Sequence, residues 1–211
     1  MGVTIETAEL GLRERKRLVT RRAIQYAALS IAGERGLEAV TVDEIGRRAD
    51  ISPRTFFNYF PTKEAAIVGD GPEIPADADV DDFVAAGPAD SIFAGISRLL
   101  VGATDRIAED GELTTLRRAL VKANPHLFAL RMATMHRFED QLRALVAERL
   151  TADGVVPAAD IDTRARLVTL VAMAAMRHAW TSWADAPGST GLAERLDDSF
   201  RELEELFASK A

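Results

Sequence analysis

The sequence predicts an all-α fold in which short helices come first and long ones follow. Apolar residues recur at helical spacing through most of the chain, and no stretch after residue 64 alternates convincingly with period two. The first third is punctuated by residues that start and stop helices. With 211 residues, 47% of them hydrophobic, the chain can bury a substantial core as one ordinary domain or two small ones. No internal repeat is visible.

The first helix is expected from Arg13 to Gly36, with Leu18, Ile24, Ala28, Leu29, Ile31 and Ala32 on its apolar side and glycine as its stop. Thr41 and Glu44 then have capping-box spacing at the head of a short helix that runs to about Ala49. Asp50, Ile51 and Ser52 make a tight connection. Ser52 caps a second short helix that begins at Pro53, where a missing N–H is harmless, and ends near Phe60 before Pro61. Thr62 caps a fourth helix. Residues 69–90, rich in Gly, Pro and Asp, read as a linker or surface loop. Helices are then expected at about 91–109, 112–124, 125–151, 160–185 and 190–208.

Charge is distributed unevenly. Residues 1–63 hold 11 Lys and Arg against 8 Asp and Glu, a net of +3. The remainder holds 15 against 25, a net of −10. A basic head on an acidic body fits a polyanion-binding module joined to something else. The chain has no cysteine, so it has neither disulfides nor a thiolate metal site, as suits a reducing cytosol. Its N-terminus lacks a signal-peptide pattern and no apolar run reaches membrane-spanning length, so a cytoplasmic protein with no membrane partner is expected.

Two short helices joined by about three residues form a helix-turn-helix, with the second as the reading helix. At 100° per residue, Phe56 and Phe60 share one side of residues 53–60 while Arg54 and Asn58 lie opposite. Phe56 and Phe60 therefore anchor the helix on Ile45, Ala49 and Ile51, leaving Arg54, Thr55, Phe57, Asn58 and Tyr59 facing outward. Arg suits guanine O6 and N7, Asn suits adenine, and aromatic or methyl groups pack on thymine methyls. The Tyr59 hydroxyl, Lys63, and the hydroxyls of Thr41 and Ser52 at helix N-termini suit phosphate oxygens. The basic cluster Arg13, Arg15, Lys16, Arg17, Arg21 and Arg22 fits either electrostatic attraction to DNA or a solvated helix face.

The stretch "ERGLEAVTVDEIGRRADISPRTFFNYFPTKEAAI" resembles the tetracycline-repressor-like (TetR-family) bacterial transcriptional regulators over roughly residues 13–68. The resemblance implies a DNA-binding domain at 1–68, a linker at 69–90 and a helical ligand-binding and dimerisation domain at 91–211. Pro53, Arg54, Thr55, Phe57, Asn58 and Tyr59 match the family's recognition-helix contact positions. Lys63 matches its phosphate-clamping lysine, and Thr41 and Arg47 sit where the preceding helix meets the backbone. The family usually has Tyr where this chain has Phe57, so a phosphate hydrogen bond is lost there. The form "RTFFNYF" is similar to a subset whose C-terminal domains take acyl-CoA-like ligands. The function implied is that of a homodimeric repressor, released from a palindromic double-stranded operator by a small apolar or amphipathic effector.

In the long helices, Phe128, Met132, Met135, Met173, Met176, Arg177 and Trp180 are candidates for an effector pocket, since thioethers fit irregular apolar cavities. Plain core filling is the alternative for each Met. Leu167, Leu170 and Val171, with Leu196, Phe200 and Leu203 of the last helix, fit equally an intramolecular bundle or a four-helix dimer interface; the resemblance implies the second. No catalytic residues, cofactor or metal site are expected. The three His are scattered, and "DADVDDFVAAGP" lacks the Gly and bidentate Glu of a calcium loop. A helical adaptor without specific DNA binding is the competing class, and it leaves Arg54, Thr55, Asn58 and Lys63 without a role.

Overall fold

The structure, a computed structural model, describes residues 12–69, 71–72, 74, 78–105, 111–185 and 191–208. Among these residues there are helices and turns and no strand. They divide into two units: residues up to 70 with Glu112–Arg131, and Gly71–Gly111 with Met132–Ala211.

In the first unit, α1 (Leu12–Arg35) ends at Gly36, whose φ of 82° also opens a single 3₁₀ turn at Leu37–Ala39. α2 (Val42–Ala49), α3 (Pro53–Tyr59) and α4 (Lys63–Val68) follow. Each of these short helices is capped by a hydroxyl: Thr41 Oγ1 accepts from the Glu44 N–H at 3.2 Å, Ser52 Oγ from Thr55 at 3.1 Å, and Thr62 Oγ1 from Ala65 at 3.1 Å. Caps matter here because helices this short are unstable alone and owe their existence to capping and packing. The packing centres on Ile24, Ala28, Leu29 and Ile31 of α1, Ile45 of α2, Phe56 and Phe60 of α3, and Ile67 of α4, all fully buried or nearly so.

The turn between α2 and α3 depends on backbone geometry. Asp50 takes the left-handed conformation (φ 53°), and the Ile51 N–H bonds back to Gly46 O at 2.9 Å. A Cβ at Gly46 would sit 2.8 Å from Ile51 O, a backbone atom that cannot move aside, so only glycine closes this turn.

Residues 112–131 group with this first unit. Along α7 (Gly111–Ala123) and the start of α8 (Pro125–Asp153), Leu113, Leu116, Leu120, Leu127 and Leu130 pack on its core. Arg117 donates from Nε to Ile67 O at 3.0 Å, satisfying an end carbonyl of α4. The bundle expected to begin at residue 91 therefore gives up this stretch to the head.

The second unit holds α5 (Ala78–Ala85), α6 (Ile92–Asp105), the rest of α8, α9 (Ile161–Asp185) and α10 (Leu192–Ala208). Its core joins Phe83, Ile96, Leu100, Phe138, Leu142, Val146, Ala172, Met176, Leu196 and Phe200. Helix α5 lies inside the stretch expected to be loop. Arg149 explains its docking. This side chain is wholly buried, grips both carboxylate oxygens of Asp153 at 2.9 and 3.0 Å, and donates to the carbonyls of Phe83, Gly87 and Asp90. Phe83 is buried beside it, its ring 5.5 Å from the guanidinium carbon.

One expectation for α10 is corrected. Leu196 and Phe200, proposed for a subunit interface, are buried at 0% and 2% exposure, because α10 turns this stripe onto α6 and α9 of its own protomer. Leu203 is half-buried against the same core.

Candidate nucleic-acid interface

Helix α3 presents two unlike sides. Phe56 and Phe60 are buried, with ring centroids 6.2 Å apart. Phe57 is 58% exposed and meets the Phe56 ring edge-on at 5.4 Å. Ser52, Pro53, Arg54 and Asn58 are exposed, and Thr55 is half-buried with its hydroxyl 2.8 Å from that of Ser52. Tyr59, expected on the outward edge, is half-buried and packs against the core instead.

The end of α3 is also held from α1. The Arg21 guanidinium donates to Tyr59 O at 2.8 Å and stacks 4.1 Å above the Phe60 ring, closing the C-terminal end of α3. The sequence groups Arg21 with Arg13, Arg15, Lys16, Arg17 and Arg22, all exposed. Its half-buried position separates it from them as a brace for α3. Nothing in the spacing of that basic run marks this one member; the contact joins it to a residue 38 positions away.

Lys63, at the first position of α4, donates from Nζ to Val40 O at 2.8 Å and is half-buried. An ammonium carries three protons, so this bond leaves others for a phosphate. Thr41 is exposed, with its hydroxyl engaged as the α2 cap.

The last turn of α1 and the whole of α2 exchange ion pairs. Arg48 forks onto Glu34 at 2.9 and 2.6 Å, while Glu44 receives Arg35 on one oxygen and Arg47 on the other. The hydrogen bond from Arg35 chiefly holds the Glu44 carboxyl below the ordinary glutamate range, and the bond from Arg48 does the same for Glu34. The capping box is thus half-formed: Thr41 caps the Glu44 N–H, but the Glu44 side chain goes to arginines. Arg47 is 72% exposed at the C-terminal end of α2.

In the second unit, a groove of about 580 Å³ is lined by Ile74, Val80, Gln141, Ala144, Leu145 and Glu148. None of the residues expected to form an effector pocket lines it. Phe128 is exposed in the first unit, Met132, Met135, Met173 and Trp180 are half-buried, Met176 is buried in the second core, and Arg177 is exposed. On α9, Leu167 and Leu170 are exposed at 63% and 47%, and Val171 is half-buried.

Comparison with known proteins agrees with this organisation. Residues 24–66 match the family described as bacterial regulatory proteins, tetR family, and residues 90–208 match the MftR C-terminal domain. The chain is 28% identical over 183 residues to the HTH-type transcriptional regulator TcmR of Streptomyces glaucescens, covering 82% of this chain and 76% of that one. It is 42% identical over 50 residues to the HTH-type transcriptional regulator BetI of Rhizobium meliloti, covering 24% of this chain and 25% of that one. Thermus thermophilus FadR, a TetR-family transcriptional repressor solved with lauroyl-CoA, aligns at 24% identity and a TM-score of 0.44, over 88% of this chain and 93% of FadR. With the C-terminal match alone spanning more than half of its residues, behind an N-terminal match over the helix-turn-helix, this chain belongs to the tetR family of bacterial regulatory proteins and is a DNA-binding transcriptional regulator.

Proposed function

We propose that this regulator works in the cytoplasm as a homodimeric repressor. Its α3 helices enter successive major grooves of a palindromic operator, and a small apolar or amphipathic effector releases it. The observation that carries the reading is the division of α3, with Phe56 and Phe60 buried while Arg54, Phe57 and Asn58 stay exposed. An exposed aromatic between two base-reading side chain types fits a surface that a duplex covers. In this reading Arg54 and Asn58 read base edges and Phe57 packs on thymine methyls. Thr41, Arg47, Ser52, Pro53, Thr55, Tyr59 and Lys63 contact or position the backbone.

Dimerisation through α9 is supported by Leu167 and Leu170, large apolar side chains exposed one helical turn apart with Val171 beside them. An effector in the second unit is supported by the groove, whose volume lies in the range of small-molecule sites. Its walls are apolar at Ile74, Val80 and Leu145 and polar at Gln141 and Glu148, which suits an amphipathic molecule whose polar end is uncharged or cationic. Binding that favours one conformation of the dimer changes operator affinity by the ratio of the effector's affinities for the two states.

The test compares two substitutions across a panel of duplexes. Arg54→Ala relaxes base preference, whereas Lys63→Ala weakens all sequences alike. Equal, sequence-blind losses for both would contradict the assigned roles.

A further inference from the structure

We infer that Glu44 is a built-in anionic competitor that lowers this protein's affinity for DNA by holding Arg47 on a carboxylate. The inference rests on Arg47 being a backbone contact, and it assigns to Glu44 a role that the Thr41–Glu44 spacing alone does not suggest.

Three features of the site support it. The Glu44 side chain is 20% exposed while that of Arg47 is 72% exposed, so the carboxylate is the fixed partner and the guanidinium the movable one. Both Glu44 oxygens are engaged, one by Arg35 from the end of α1 and one by Arg47 three residues along α2. The carboxyl is held below the ordinary glutamate range, chiefly by the hydrogen bond from Arg35. Two cations and one anion therefore share a small surface cleft, with Glu34 and Arg48 completing its walls.

A phosphate oxygen offers Arg47 the same chemistry as Glu44 does, so DNA must draw the guanidinium from one anion to another. The exchange is feasible because an exposed ion pair at i, i+3 is weak. It is not free of consequence, because the vacated carboxylate remains beside the incoming phosphate and repels it. Neutralising position 44 removes both the competition and the repulsion. Glutamine is the suitable replacement, since it is accepted at the third position of a capped helix and the Thr41 cap uses the backbone N–H of residue 44, not its side chain.

The experiment measures binding of the full chain to a fluorescently labelled mixed-sequence duplex over a salt series, for the wild type, Glu44→Gln, Arg47→Ala and the double variant. Glu44→Gln is expected to raise affinity several-fold and to steepen the dependence of log K on log salt by as much as about 0.9, the increment for one more neutralised phosphate. Arg47→Ala alone weakens binding, and in its background the Glu44→Gln gain shrinks to the part due to direct repulsion. A weaker or unchanged affinity for Glu44→Gln, with Arg47→Ala still weakening binding, overturns the competitor role while leaving the Arg47 contact intact. A gain of undiminished size in the Arg47→Ala background overturns it too, because the effect is then general charge. An Arg47→Ala variant that binds like wild type removes the backbone contact itself, and the inference with it.

Discussion

Arg21 and Tyr59 are joined by a hydrogen bond from guanidinium to backbone carbonyl at 2.8 Å, with the Phe60 ring 4.1 Å beneath the same guanidinium. Helix α3 has only seven residues, so its C-terminal carbonyls need a partner from outside the helix. Arg21→Met keeps most of the aliphatic stem and removes the donor and the cation. It should lower stability by about 2 kcal/mol, as expected for a lost charge-assisted hydrogen bond, and weaken DNA binding through a loosened α3. Thermal unfolding and binding isotherms check both. Unchanged stability with a reduced salt slope would make Arg21 a phosphate contact instead of a brace.

Phe56 and Phe57 are neighbours with opposite environments, at 0% and 58% exposure. Phe56→Ala should cost roughly 3–5 kcal/mol, the range for truncating a buried aromatic. Phe57→Ala should cost about 1 kcal/mol or less, mainly its edge contact with Phe56. Of the two, Phe57→Ala should reduce DNA affinity while the fold persists. Chemical denaturation paired with binding assays separates these outcomes.

Arg149 carries the polar burden of the second core, wholly buried and bonded to Asp153 and to carbonyls around α5. Removing one member of a buried pair leaves an uncompensated charge, so Asp153→Asn or Arg149→Met should each cost about 3–5 kcal/mol. Trp180 and Trp183 lie in this same unit, and tryptophan emission therefore follows its unfolding. A transition midpoint unmoved by either substitution would refute the assignment.

Glu34 and Glu44 predict an acid-sensitive head. Their carboxyls titrate below the ordinary value of 4.5 because the folded state bonds the ionised forms to Arg48 and Arg35. Their contribution is complete above 4.5 and is lost as pH falls through the depressed folded values. Stability of the first unit should decline in that window, and the decline should be shallower in a Glu34→Gln, Glu44→Gln variant. Amide exchange of α1 and α2 resonances across an acid titration measures it.

Much of the head was legible in the sequence because its signals are local. Thr41, Ser52 and Thr62 each cap the helix they precede, Pro53 starts α3, and the Phe56 and Phe60 spacing names its buried side. What was not legible depends on crossings between helices. Arg21 looks like any member of a basic run until the fold brings it against the C-terminal end of α3, and Tyr59 loses its outward edge by packing on the core. Helix α5 hides in an Asp-rich stretch because its stability comes from Phe83 packing and from Arg149, sixty-six residues away. Leu196 and Phe200 carry a stripe that periodicity assigns equally to a partner or to the protomer's own core. Burial decides for the core.

The central claim is that α3 reads base sequence as one of a symmetric pair. Selection of bound duplexes from a random pool at near-physiological salt tests it most directly. The account predicts enrichment of a two-fold symmetric motif whose half-sites are spaced for successive major grooves, ~34–36 Å apart in an undistorted duplex. A folded, dimeric protein that enriches no sequence would contradict it.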